Sequence, residues 1–307
     1  MKRHAASLAA LAAATATVTT IGLAAPAASA AALGTNTGAS AGGLHGPGLP
    51  EHVFAPYFET YDTSTGLAAL SQQSGARFLS LAFLQTDQPG SCTAYWDGNT
   101  SQPISPASFG ADIAAIQARG GNVIPSFGGF TADTTGTELA DSCTSVSSIA
   151  QVFESLITTY HVPRIDLDIE GDSVNNLAGI DRRNQAVAQT EAWAAAHGRN
   201  IQFSYTLPTF PTGLPAAELG VLQNAVADGA RISTVNLLTF DYFIGTPQNM
   251  LTDTQTAASA LVGQLQSLYP NEPSCVPWLA SVTSLSSSAQ MNPCRETTRW
   301  AVKSEPP

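Results

Sequence analysis

Residues 164–170 read Arg-Ile-Asp-Leu-Asp-Ile-Glu, a strict alternation of apolar and acidic side chains. On an extended strand a period of two puts Asp166, Asp168 and Glu170 on one face, roughly 7 Å apart from one to the next. Three carboxyls on one face can do acid–base work when their surroundings separate them, one keeping a proton to donate and another stabilising positive charge. An edge strand with a solvated acidic face would show the same alternation. The segment, however, stands fourth in a run of strand-and-helix units, with helical patterns on both sides, and that position argues for a functional site.

The elements that must hold these acids are legible as short apolar runs at 53–58, 77–84, 122–127, 164–169, 201–207 and 232–240. Mostly apolar runs of this kind suit parallel strands covered on both faces. Helical patterns lie between them. Ser105-Pro106 predicts an N-cap with Pro at the first helical position, followed by Phe109, Ile113 and Ile116 on one face and a stop at Gly120-Gly121. Ile149, Val152, Phe153, Leu156, Ile157 and Tyr160 share a helical face, and further helices are expected over 183–196 and 255–268. Six consecutive units predict an α/β chain forming a (β/α)8 TIM barrel in preference to a doubly wound sheet. In such a barrel Ile165, Leu167 and Ile169 face the helices and the acids face inward, with Glu170 at the carboxyl end of its strand, where barrel active sites lie.

Composition narrows the function. The chain carries a formal charge of −11. Nucleic acid is excluded as a partner, because binding it needs clustered Lys and Arg to displace phosphate counterions. Residues 1–30 have the basic start, apolar run and Ala-rich end of a secretory signal peptide, residues 31–50 read as a flexible leader, and residues 51–307 as one catalytic domain. The expectation is a secreted monomer with no membrane span. No metal or cofactor is expected: neither the four cysteines nor the histidines fall at ligand spacing, and His45, His161 and His197 build no triad.

Six motifs in order carry a resemblance. They are Phe54-Ala55-Pro56-Tyr57, Leu81-Ala82-Phe83, Ser126-Phe127-Gly128-Gly129, Asp166-Leu167-Asp168-Ile169-Glu170-Gly171, Ser204-Tyr205-Thr206-Leu207-Pro208 and Asn236-Leu237-Leu238-Thr239-Phe240-Asp241-Tyr242. The chain resembles glycoside hydrolase family 18, in the compact branch of bacterial chitinases, from about residue 53 to residue 278. The resemblance implies a retaining, substrate-assisted hydrolysis of β-1,4-linked N-acetylglucosamine polymers, an exception to the usual scheme of two catalytic carboxylates. Glu170 would be the general acid and base, with Asp168 holding the substrate's acetamido group and Asp166 behind it. Asp241 and Tyr242 would reach the same sugar, and Ser126 and Gly128 would lie beneath it. Trp96 is a candidate stacking platform for a sugar face, a plain hydrophobic contact being its alternative. Within the same chemistry an endo-β-N-acetylglucosaminidase acting on N-glycans is the nearest rival, and outside it a non-catalytic chitin-binding barrel.

The chain departs from the family pattern at Pro163, where the wider family carries a further Asp, and at Phe240, where many members carry Tyr. In a barrel Cys92 and Cys143 follow the second and third strands and share a rim, which favours their pairing and leaves Cys275 with Cys294. After residue 278 the likeness fades. Residues 279–283 read as a weak seventh strand and residues 300–302 as a short eighth, so the barrel is expected to be incomplete there, through a divergent end or a shifted reading frame.

Overall fold

The structure is a computed structural model that describes residues 48–50, 52–62, 64–240, 242, 244–270, 279–284 and 287–291. The signal peptide, most of the leader, Asp241, Cys275, Cys294 and the short strand expected at 300–302 lie outside these residues. Among the described residues seven parallel strands carry the domain: β1 (Tyr57–Glu59), β2 (Phe78–Thr86), β4 (Asn122–Gly128), β5 (Arg164–Asp168), β6 (Gln202–Pro208), β7 (Thr234–Leu238) and β8 (Leu279–Ser284). They pair in that order, with β3 (Ala94–Trp96) antiparallel on β2 and β9 (Ser287–Met291) antiparallel on β8.

The helices fill the connections: α1 (Leu67–Ser74), α2 (Ala111–Ala118), α3 (Phe130–Thr135), α4 (Leu139–Ser142), α5 (Val146–Tyr160), α6 (Leu177–Ala196), α7 (Ala216–Ala227) and α8 (Met250–Leu268). The architecture is thus a βα barrel left open at its end. The weak seventh strand pairs parallel to β7 as expected, but the next strand turns back as a hairpin, and no described residue bridges β9 to β1. No helix among the described residues is long and apolar enough to cross a membrane.

The core lies between strands and helices. Ile165, Leu167 and Ile169 are buried in one apolar cluster with Ile149, Phe153 and Leu156 of α5 and Ile180 and Val187 of α6. Phe153 stands edge-on to Phe127 at 5.2 Å and packs against Phe203 at 5.5 Å, so one ring of α5 braces β4 and β6 on either side of β5. Ser145 caps α5 by accepting the Ser148 N–H, and Asn176 caps α6 by accepting that of Gly179.

Several boundaries differ from the sequence reading. The ladder of β1 begins at Tyr57: Val53 and Ala55 instead join Phe78 and Ile124 in a small separate cluster. The helix expected from Pro106 is broken at Phe109, which takes φ 57° and sets its ring 6.1 Å from that of Phe58 and 5.3 Å from that of Trp96. Aromatic burial overrides the helical start there, and α2 begins only at Ala111. Helices α6 and α8 start six and five residues earlier than expected, each at an Asn cap.

Cys92 and Cys143 are disulfide-bonded, closing a loop of 51 residues between the segment after β2 and the segment after α4. Replacing both by Ser is expected to cost about 2–5 kcal/mol of stability, because the cross-link restricts the unfolded chain. Urea unfolding with and without the substitutions measures this, and equal midpoints would contradict it.

Candidate active site

Strand β5 carries its acids inward, as its alternation requires. Asp166 is 2% exposed and lies in the middle of the sheet. It is not left unpaired: Ser126 Oγ donates to its Oδ2 at 2.7 Å, Ser204 Oγ to its Oδ1 at 2.5 Å, Thr206 Oγ1 approaches both oxygens at 2.9 and 3.0 Å, and Asn236 Nδ2 donates to Oδ1 at 3.2 Å. These donors come from β4, β6 and β7. The parallel register sets Ser126 and Ser204 directly beside Asp166. Burial still pushes the Asp166 carboxyl above its ordinary value, while Ser204, Ser126, Thr206 and Arg164 pull against the shift.

Asp168, the last residue of β5, is 3% exposed and has one carboxylate oxygen without a partner. Burial, then the charges of Glu170, Asp166 and Asp133, hold its carboxyl well above the usual carboxylate range. Glu170 stands two residues beyond, half-buried, and its carboxyl is also pushed up by burial, the Phe130 N–H opposing. Its own backbone N–H donates to Asp133 Oδ2 at 2.5 Å.

Asp168 and Glu170 open into a cleft of about 1490 Å3 at the carboxyl end of the strands, walled in part by Tyr57, Phe83, Phe130, Phe210 and Tyr242. Tyr57 sits against Thr206 and the acids. Burial first, then Asp166 and Asp168, hold its phenol well above its ordinary value, so it keeps its proton. The cleft combines apolar walls with a few converging polar groups, as binding sites do. Gly128 makes it possible: at φ 97°, its backbone runs so close to β5 that a Cβ would fall 2.0 Å from the Asp168 carbonyl oxygen.

The structure therefore brings Asp168, Glu170, Gly128 and Tyr242 together around the cleft, with Asp166 one layer below them beside Ser126. Two expectations are corrected. Trp96 does not reach the cleft: it is fully buried on β3, its Nε1 donating to the Tyr160 hydroxyl at 3.1 Å and its ring 5.3 Å from Phe109. Ser126 is also fully buried, one layer below the cleft, and its hydroxyl is committed to Asp166 rather than open to a ligand. Asp241 lies outside the described residues. Missed in the sequence were Tyr57, Thr206 and Asn236, which stood in quoted motifs without a role, and Asp133, which stood in none.

No family model matches the chain. Over 232 residues, 73% of the chain, it is 32% identical to the probable bifunctional chitinase/lysozyme of Escherichia coli, and over 234 residues, again 73%, it is 33% identical to endochitinase 11 of Metarhizium anisopliae. It spans 25% and 43% of these two proteins. The catalytic domain of the hyperthermophilic chitinase from Pyrococcus furiosus is similar in structure, with a TM-score of 0.64 at 26% identity, covering 76% of this chain and 71% of that one.

Thr206 is the donor that touches both oxygens of Asp166. Thr206→Val keeps its shape and removes that hydroxyl, and is expected to cost about 1–3 kcal/mol, the penalty of under-satisfying a buried carboxylate. Urea unfolding tests this, and an unchanged free energy would show that the remaining donors suffice.

Proposed function

Because the chain belongs to glycoside hydrolase family 18, we propose that it hydrolyses β-1,4-linked N-acetylglucosamine chains with retention of anomeric configuration. The observation that carries this reading is the line of Asp166, Asp168 and Glu170 on one strand face, passing from a fully hydrogen-bonded carboxylate to one at the mouth of the cleft.

Glu170, kept protonated to higher pH by its burial, gives its proton to the glycosidic oxygen as the bond to the leaving sugar breaks. The acetamido oxygen of the sugar itself attacks the anomeric carbon, forming an oxazolinium ion. Asp168, with an unpartnered oxygen beside the cleft, accepts the acetamido N–H and offsets the positive charge that develops. Asp166, held in place from three neighbouring strands, adds its charge to those that raise the Asp168 carboxyl. Glu170 then takes a proton from the water that opens the oxazolinium ring, which restores the enzyme. Tyr57 remains protonated and supplies a hydroxyl donor beside the acids. Tyr242 and Asp241 are assigned to the same sugar, and secretion through cleavage near Ala30 belongs to the same proposal.

Glu170→Gln removes the transferable proton and keeps the side-chain shape. It is expected to lower turnover of chitin oligomers at least about 10²-fold while oligosaccharide binding persists. Near-normal turnover in a folded variant would overturn the assignment. Running chitin oligomers beside a high-mannose glycoprotein in the same assay separates a chitinase from an N-glycan endoglycosidase.

A further inference from the structure

Strand β5 ends just before the residue whose carboxyl must be aimed. The Ile169 N–H still reaches across the sheet to the Thr206 carbonyl at 2.9 Å, but the next N–H, that of Glu170, leaves the ladder. It donates instead to a side chain 37 residues away, Asp133 Oδ2 at 2.5 Å. Asp133 lies on α3, the short helix that follows the Gly128-Gly129 turn, and is 1% exposed. The same helix also bears on the carboxyl: the N–H of its first residue, Phe130, opposes the rise that burial imposes on Glu170. Helix α3 thus holds the backbone of Glu170 through the Asp133 side chain.

We infer that Asp133 is a positioning residue for the proton donor, fixing the backbone of Glu170 after the sheet has ended so that its carboxyl points into the cleft. The inference rests on the reading of Glu170 as the general acid. Asp133 does not face the reacting bond, and it acts through Glu170 alone.

The surroundings of Asp133 say why an acid can serve here. The N-terminus of α4 places Glu138, and α4 itself Asp141, around the fully buried Arg183 of α6: Glu138 Oε2 lies 2.7 Å and Asp141 Oδ1 3.7 Å from Arg183 Nη2. Ser173 and Asn176, from the loop that follows Glu170, donate to Asp141. Arg183 is engaged by these two carboxyls, and Asp133 makes no ion pair with it within 4.0 Å. Burial, with the charge of Glu138 adding to it, pushes Asp133 up to about 9, against the Glu170 N–H and the more distant Arg183. Across the site it faces Asp168, whose carboxyl it also helps to raise. Neutral at pH 7, Asp133 accepts the Glu170 N–H without adding another negative charge beside Asp168 and Glu170.

A group whose proton is retained in the fold but released above about pH 4 in the unfolded chain makes the fold less stable as pH rises toward 9. Asp133→Asn removes that dependence and keeps an acceptor oxygen, whereas Asp133→Ala removes the acceptor.

The test compares both variants with the native chain, checking their folding by circular dichroism and melting. Asp133→Ala is expected to lose about 10²-fold in kcat, as a displaced catalytic group does, with KM little changed. The alkaline limb of its pH profile should move to lower pH as Glu170 relaxes toward water. Asp133→Asn is expected to keep most of kcat and to gain melting temperature over the native chain increasingly as pH rises from 4 to 8. A folded Asp133→Ala variant with native kcat and pH profile overturns the inference.

A second measurement needs neither turnover nor an Asp133 variant. In Glu170→Gln, the backbone amide proton at position 170 should resonate far downfield and titrate with a midpoint near 9. An amide that is neither displaced nor titrating overturns the inference, whereas Glu170→Gln retaining native hydrolysis would overturn only the reading of Glu170 as proton donor.

Discussion

A carboxylate taken out of water in the middle of an apolar barrel is tolerated only if the fold replaces the water it loses. Asp166 imposes this requirement. Ser126 on β4, Ser204 and Thr206 on β6 and Asn236 on β7 meet it together. Each stands on an inward face because the parallel register brings Ser126 and Ser204 beside Asp166, and Asn236 beside Thr206. A slip of one residue on any of these strands would present an apolar side chain to Asp166 and turn a polar one toward the helices. Satisfying the buried acid and packing the apolar shell therefore select the same register.

The same constraint grades the acids along β5. Asp166 has four donor groups, Asp168 has a buried oxygen without a partner, and Glu170 meets the cleft. Desolvation raises all three, yet what opposes it differs at each position, so identical chemical groups on one strand come to hold protons differently. The α3–α4 segment extends this beyond the sheet, with a second buried set of acids gathered around Arg183.

Much of this was legible in the sequence. Alternation on residues 164–170 put the acids on one face, and the order of strand and helix patterns placed that strand inside a barrel. The barrel in turn put Cys92 and Cys143 at one rim, where they are bonded. What escaped depended on contacts distant in the chain. Asp133 sits in Phe-Thr-Ala-Asp-Thr-Thr, a polar turn with no periodic signal, and only the close approach of β4 to β5 brings it to Glu170. Trp96 was open to two readings, a stacking platform or a plain hydrophobic contact, and the short antiparallel strand β3 turns it inward onto Tyr160 and Phe109. The starts of α6 and α8 were hidden because each first turn mixes apolar and polar residues without a clear stripe, leaving the Asn caps as the only signal. Strand β9, over Ser287–Met291, was not foreseen, and it folds back antiparallel on β8, a choice of turn that apolar patterning does not encode.

The central claim is that the acids of β5 work with the substrate's own acetamido group, so that the attacked carbon is inverted twice. The anomeric form of the first product measures this directly. Proton NMR of a chito-oligosaccharide digest, recorded before mutarotation, is predicted to show the new reducing end in the β configuration. An α product would mean direct displacement by water, and would contradict the account.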